Sequence, residues 1–317
     1  MIVNSLKLLA RLLLMAEKIN IGGQAVLEGV MMRAPRSLAI AVRRPTGEIV
    51  VRKEEVVPLS ERYPLVKLPV VRGAAAMFSS LVVGIKALNF SANEAMVEEG
   101  EEKQELSSWA MGGTMAVAFG FGILLFFIMP LYMTKLLVPY IGQSNIVFNL
   151  VDGVIRVIVF LLYIWSISRM SDIQRVFQYH GAEHMSIFAF EAGDELTIEN
   201  VRKYSRLHPR CGTSFLLIVM LVSIVIFSLI PKLWPFYLKA GSRVILLPLI
   251  AGVSYEFLKW SAKNDQASLV KLIIAPGLSL QKLTTRVPDD SQLEVAIRSM
   301  EEALAVNAGY KDDRLVI

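Results

Sequence analysis

The 317-residue chain is 54% hydrophobic, against roughly 45–50% in soluble domains, and its mean hydropathy of +0.52 excludes an ordinary soluble globule. Its net charge of +5 and pI near 9.2 fit contact with an anionic inner leaflet, so no nucleic-acid partner is needed to explain them. The single cysteine excludes an internal disulfide framework and fits a reducing compartment, where Cys211 stands as a thiol or a metal-bound thiolate.

Along the chain, the run from Ser5 to Met15 resembles a signal core but is interrupted by Lys7 and Arg11. No good cleavage site follows, which predicts a short amphipathic surface helix. Leu38–Arg43 and Ile49–Lys53 are strand candidates, joined through the turn residues Pro45-Thr-Gly-Glu48. An isolated hairpin is marginal in water, so this small β unit is expected to pack against something else. Residues 70–92 read as a helix rich in small residues, among them Gly73, Ala76, Ser80, Gly84 and Ala87. Arg72 and Lys86 weigh against a full span, and the expectation is an interfacial or half-inserted helix packed on the bundle. The acidic run Glu98 to Glu105 reads as a solvated linker.

Four apolar runs approach or reach spanning length: Ser108–Pro130, Leu150–Ser168, Thr213–Ile230 and Arg243–Lys259. Lys and Arg are distributed as the positive-inside rule requires. The segment between the second and third runs carries Arg169, Arg175, Arg202, Lys203, Arg206 and Arg210, whereas the flanking loops carry Lys135 in one and Lys232 with Lys239 in the other. Both termini and the 169–212 loop are therefore expected in the cytoplasm, in a multi-pass protein of the inner (cytoplasmic) membrane. Asp152 and Arg156 are spaced for a local ion pair. Glu256, in the fourth run, is a candidate site residue, with pairing to Lys259 as the simpler reading.

All three histidines and the cysteine fall between His180 and Cys211, in His180-Gly-Ala-Glu-His184 and His208-Pro-Arg-Cys211-Gly. On a helix, His180 and His184 share one face, where both imidazoles can reach one ion. Imidazole and thiolate are the donors that a divalent transition metal of the zinc type selects. The order H-x-x-E-H makes Glu183 a candidate base toward a water on such a metal. Ser171-Asp-Ile-Gln174 is a capping-box sequence opening a helix whose apolar stripe includes both histidines and ends near Gly193. A second helix is expected from Thr197 to Leu207, stopped by Pro209. Cys211 follows at the start of the third span, where the helix dipole favours thiolate. In the tail, Pro288-Asp-Asp-Ser291 signals a helix start, and Leu293, Ala296, Ile297, Met300 and Leu304 form a stripe that docks on the body or on a partner.

The expected fold is mainly α, a polytopic membrane helical bundle of about four spans with a small cytoplasmic β unit and amphipathic helices. Its parts are an N-terminal cytoplasmic region (1–107), a membrane domain (108–260) holding the site loop 169–212, and a cytoplasmic tail (261–317). No internal repeat, P-loop, dinucleotide fingerprint or nucleophile-elbow serine is present.

Several motifs together resemble the YqhQ-like family of uncharacterised bacterial membrane proteins. They are Gly22-Gly-Gln-Ala-Val-Leu-Glu28-Gly-Val-Met-Met-Arg33, the two histidine segments, Tyr255-Glu256, Ala275-Pro-Gly277, Leu283-Thr-Thr-Arg286 and Pro288-Asp-Asp290. The resemblance implies a metal-dependent enzyme and adds Glu28 as a further candidate carboxylate, beside a turn or packing role for Gly22, Gly23 and Gly29. The leading expectation is a membrane hydrolase in which His180, His184 and His208 hold zinc and leave a fourth position open. The alternative is a non-enzymatic module in which His180, His184, His208 and Cys211 close a structural site and position partners during membrane-protein biogenesis. Membrane lipid, and a membrane-protein partner or a second copy of the chain, are the expected contacts.

Overall fold

The computed structural model describes residues 19–97, 108–141, 144–231, 233–264 and 267–312. The expected surface helix at 5–15 and the acidic linker at 98–105 lie outside the described residues.

The β unit is larger than the expected hairpin. Strands β1 (Gly22–Val26), β2 (Gly29–Ala34), β3 (Ser37–Arg43) and β4 (Ile49–Glu55) form an antiparallel meander in the order β1-β2-β3-β4. The β3–β4 pair fulfils the expected hairpin, with Gly47 supplying the left-handed residue at φ 89°. β1 and β2 escape sequence reading because Gly22 and Gly23 dilute any alternation. Both faces of the sheet are covered, which explains the nearly unbroken apolar run of β3. Ala39 and Ala41 face one core with Val30 and Met32. Leu38, Ile40 and Val42 face another with Val26 and Met31.

The second face is covered by α1 (Val71–Ala95), through Val83 and Ala87. Its other half packs on the helix Leu247–Lys263 through Gly73. A Cβ added there would lie 2.6 Å from Tyr255 Cβ and 2.9 Å from Gly252 Cα. The small residues therefore permit close approach, as expected. Arg72 Nε donates to Glu256 Oε1 at 2.6 Å in the same seam, and buried Glu94 takes Arg44 at the far end. α1 is thus a strap from the bundle to the sheet.

Helix α2 (Ser108–Ile123) runs through a π-turn (Leu124–Ile128) into α3 (Met129–Ile141). Pro130 has no N–H for the Phe126 carbonyl, and Arg156 Nε donates to that carbonyl instead, at 3.1 Å. Helix α4 (Asn145–Ile167) carries Asp152 and Arg156, which pair at 2.5 Å as their spacing predicts. Asp152 also takes Arg243 at 2.6 Å, a partner from a distant helix. Then follow α5 (Ser171–Ala192), the single turn α6 (Ile198–Val201), α7 (Gly212–Ser228), α8 (Phe236–Ile245) and α9 (Leu247–Lys263).

By length and composition, three helical stretches suffice to cross a membrane: Val71–Ala95, Gly112–Tyr140 and Asn145–Ile167. The count rises to four if α8 and α9, bent by 46°, form one span. This differs from the four runs read in the sequence. α1 joins the set, α7 is a shorter apolar helix, and the last run is broken. The break lies where Pro248, at the start of α9, cannot continue the α8 hydrogen-bond ladder.

Sequence reading missed α10 (Ser268–Thr284), which packs on α7 and α4. A Cβ on Gly277 would lie 2.8 Å from Ser214 Oγ, and Leu280 is buried with Phe160 and Ile164. The tail helix α11 (Asp290–Asp312) forms as expected. Asp289 Oδ1 accepts from Gln292 N, and Gln292 Oε1 accepts from Asp289 N, both at 2.9 Å, making a capping box. Its stripe docks on the first face of the sheet beside α5, burying Leu293, Ala296 and Met300.

Candidate metal centre

α5 is the keel of the site. Its N-cap is Met170 without a side-chain bond, so the capping box read at Ser171 does not form; Ser171 is the first helical residue and donates to Asp172. Gly193, at φ 80°, closes the helix. On the buried stripe, His180 and His184 lie with ring centroids 4.4 Å apart.

Both rings are oriented by backbone carbonyls. His180 Nδ1 meets the Thr284 carbonyl at 2.8 Å, and His184 Nδ1 meets the Arg206 carbonyl at 2.5 Å. A carbonyl only accepts, so both Nδ1 atoms carry the proton and both Nε2 atoms present a lone pair. His180 Nε2 lies 3.2 Å from Cys211 Sγ. His184 is 1% exposed, and its Nε2 has no hydrogen-bond partner among the described residues. Cys211 is the N-cap of α7, its sulfur accepting from Thr213 N at 3.4 Å. One ligand atom from each of His180, His184 and Cys211 lies within 4.8 Å of the others. Burial, reinforced by His180, pushes the His184 pKa down and keeps the ring neutral, although Cys211 and the Arg206 carbonyl oppose the shift.

His208 stands beside this trio. Its ring centroid is 5.7 Å from that of His184 and 4.4 Å from that of Phe188. Its Nδ1 accepts from Arg210 N at 3.3 Å, which leaves the proton on Nε2 rather than a lone pair. That Nε2 faces Glu191 Oε2 at 3.5 Å, and burial pushes the ring's pKa down to about 4. The helix expected from Thr197 to Leu207 is only the turn α6. Thr197 caps it, and residues 202–211 then cross the site as an irregular loop.

Glu183 is 5% exposed, its pKa raised by burial and held back by His180, His208 and the Gly23 N–H. A Cβ on Gly23 would lie 2.8 Å from Glu183 Cγ and 2.7 Å from the Met31 carbonyl, so β1 approaches the carboxylate closely only because residue 23 is glycine. Glu28 and Glu256 are engaged elsewhere. Glu28, in the β1–β2 turn at φ 49°, pairs with Arg175 at 2.5 Å and takes the Tyr179 hydroxyl at 3.3 Å. Glu256 holds Arg72 and accepts from Val70 N.

Supporting residues come from α10 and the segment just after it, which the sequence showed only as family motifs. Gln281 accepts from His208 N at 2.8 Å and donates to the His208 carbonyl at 2.7 Å and to Ser214 Oγ at 3.0 Å. Arg286 N donates to the Phe177 carbonyl at 2.8 Å, and the Arg286 carbonyl packs over Gly181, where an added Cβ would be 2.1 Å away.

A family model described as "Protein of unknown function (DUF1385)" matches residues 68–306. The "Uncharacterized protein YqhQ" of Bacillus subtilis (strain 168) is 36% identical over 297 residues, covering 90% of this chain and 93% of that protein. No solved structure matches the chain. With three quarters of its length under the family model and a full-length relative in YqhQ, the chain belongs to the DUF1385 family.

Proposed function

We propose that the chain is a metal-dependent membrane enzyme, with hydrolysis as its reaction class. His180, His184 and Cys211 would hold one divalent transition ion, of the zinc type. The observation that carries this reading is the pair of Nδ1-to-carbonyl hydrogen bonds, which turn both Nε2 lone pairs toward Cys211. Metal-binding histidines are characteristically fixed in this way. A zinc-type ion on three protein donors supplies a Lewis acid with one position open to substrate. His180 is only partly buried, which supports access from that side. Glu183 is assigned the proton transfer, and burial that favours its protonated form suits a group that both takes and returns a proton. The rival reading is a structural staple, favoured by one observation: Cys211 caps α7 while the histidines ride on α5, so an ion would tie two helices together.

We place α2–α3, α4, α7 and the bent α8–α9 pair across the inner membrane, with both termini, the sheet and the site on the cytoplasmic side. The basic 169–210 segment supports this orientation. Half of α1 lies on the sheet, which supports an interfacial place for it rather than a full span. Elemental analysis of the detergent-purified chain tests the site. About one transition-metal ion per chain is expected, and its loss in a His180→Ala, His184→Ala variant. Equal metal content in the two proteins overturns the reading.

A further inference from the structure

The cations around the site fall into two classes. Arg175, Arg202 and Arg210 are each neutralised by a carboxylate: Glu28, Asp290 and Glu191. Arg169, Arg206, Lys282 and Arg286 have no carboxylate partner among the described residues. Arg206 donates to the Thr285 carbonyl and to Thr285 Oγ1, and Arg286 Nη2 donates to the Ser168 carbonyl at 3.1 Å. A carbonyl satisfies the N–H groups but leaves the charge in place. These guanidiniums flank residues 284–286, the same strip whose first carbonyl orients His180. Arg169 adjoins Ser168, and Lys282 lies two residues before Thr284.

The level of this strip is marked independently. Arg169 stacks over Trp165, at 4.3 Å from the ring centroid, and Trp165 is 47% exposed at the last turn of α4. A tryptophan with an arginine at the end of an apolar helix of spanning length is the headgroup-level signature of membrane proteins. The strip therefore combines unneutralised cations, a headgroup-level anchor and a half-open histidine. Beneath it lies an unpartnered, buried His184 Nε2.

We propose that the site takes a phosphoryl-bearing substrate presented by an anionic membrane lipid, its phosphate held by Arg169, Lys282 and the Arg206–Arg286 pair. Guanidinium suits this task because its planar fork binds phosphate bidentately. The inference deepens the metal-site reading and rests on it for the position of the chemistry, while the lipid binding itself rests on the cations.

The test is native mass spectrometry of the full-length chain in mild detergent, titrated with short-chain phosphatidic acid and, separately, with phosphatidylcholine of the same chain length. Phosphatidic acid is expected to bind selectively, with affinity falling about fivefold for each of Arg169→Gln and Lys282→Gln. Both residues are exposed and their side chains make no hydrogen bond or ion pair among the described residues, so metal content measured on the same samples should stay at the wild-type level. Equal binding of the two lipids, or variants within twofold of wild type, overturns the proposal. Competition by inorganic phosphate at equal concentration overturns the lipid source and assigns the site to a soluble phosphate compound. Selective lipid binding by a wild-type chain that carries no metal defeats the metal reading alone. A His180→Ala chain that loses metal yet still binds phosphatidic acid upholds both.

Discussion

His180 Nδ1 donates to the carbonyl of Thr284, 104 residues further along the chain, at 2.8 Å. This single bond fixes the tautomer of the first histidine and ties α10 to α5. Through it the 284–286 segment supplies a backbone carbonyl, and no side chain, to the donor trio.

The trio of donors predicts an order of effects. Cys211→Ser should lower metal content more than His208→Ala, because Cys211 Sγ lies among the converging atoms while His208 Nδ1 already accepts a backbone N–H. Removing a supporting residue typically weakens metal affinity about 10–100-fold, and removing a ligand should do more. Metal content after dialysis against a weak chelator measures both variants, and the reverse order would reinstate His208 as a ligand.

Glu183→Gln separates chemistry from support. Glutamine keeps the shape and still accepts from Gly23 N, but it cannot take up a proton. Because burial raises the Glu183 pKa, removing the charge should leave thermal stability unchanged or slightly higher. Retained metal with lost complementation is the expected result. Retained metal with full complementation would leave only the staple.

Gly181→Ala should uncouple α10 from α5. The new methyl would lie 2.1 Å from the Arg286 carbonyl, which is backbone and cannot swing aside. The 284–286 segment must lift, and His180 then loses its carbonyl. A cost of about 1–3 kcal/mol is expected from such overpacking, read as a lower unfolding temperature, together with weakened metal retention. Wild-type retention would show that the Thr284 contact is dispensable.

Gln281→Leu removes three hydrogen bonds at a fully buried position and strands the His208 backbone groups. A loss of about 2–4 kcal/mol is expected, measured by thermal unfolding in detergent. Gln281→Glu should not rescue it: the acceptor for His208 N is kept, but a buried carboxylate then faces the His208 carbonyl.

Stability of the metal-free chain should fall with acid. The folded pKa of His208 is about 4, below its ordinary 6.5, so the unfolded chain binds the proton first. The contribution is complete above pH 6.5 and is lost as pH falls from there toward 4, amounting to about 3 kcal/mol. His184, shifted the same way, adds to the slope. Unfolding temperature against pH for wild type and His208→Gln measures it. A variant with an unchanged slope would exclude His208 as a source.

Local signals in the sequence were enough to determine the presence of apolar helices long enough to cross a membrane, the α5 histidine face, the β3–β4 hairpin and the amphipathic α11. Each of these depends on the spacing of neighbours: i,i+4 for His180 and His184, alternation for Leu38 to Val42, and a polar cap before a stripe for α11. The choice of donors was not local. His180, His184 and His208 are equal by composition. What separates them is the partner of each Nδ1, a carbonyl from Thr284 or Arg206 in two cases and the Arg210 N–H in the third. Glu28 and Glu256 likewise read as candidate carboxylates until folding delivered Arg175 and Arg72 to them. The helix α10 was invisible because it is neither long and apolar enough for a span nor polar enough for a surface helix, and only Gly277 against Ser214 and Leu280 against α4 give it a place. Ligand identity at such a site depends on which lone pairs remain free after the backbone is satisfied, and only the tertiary structure decides that.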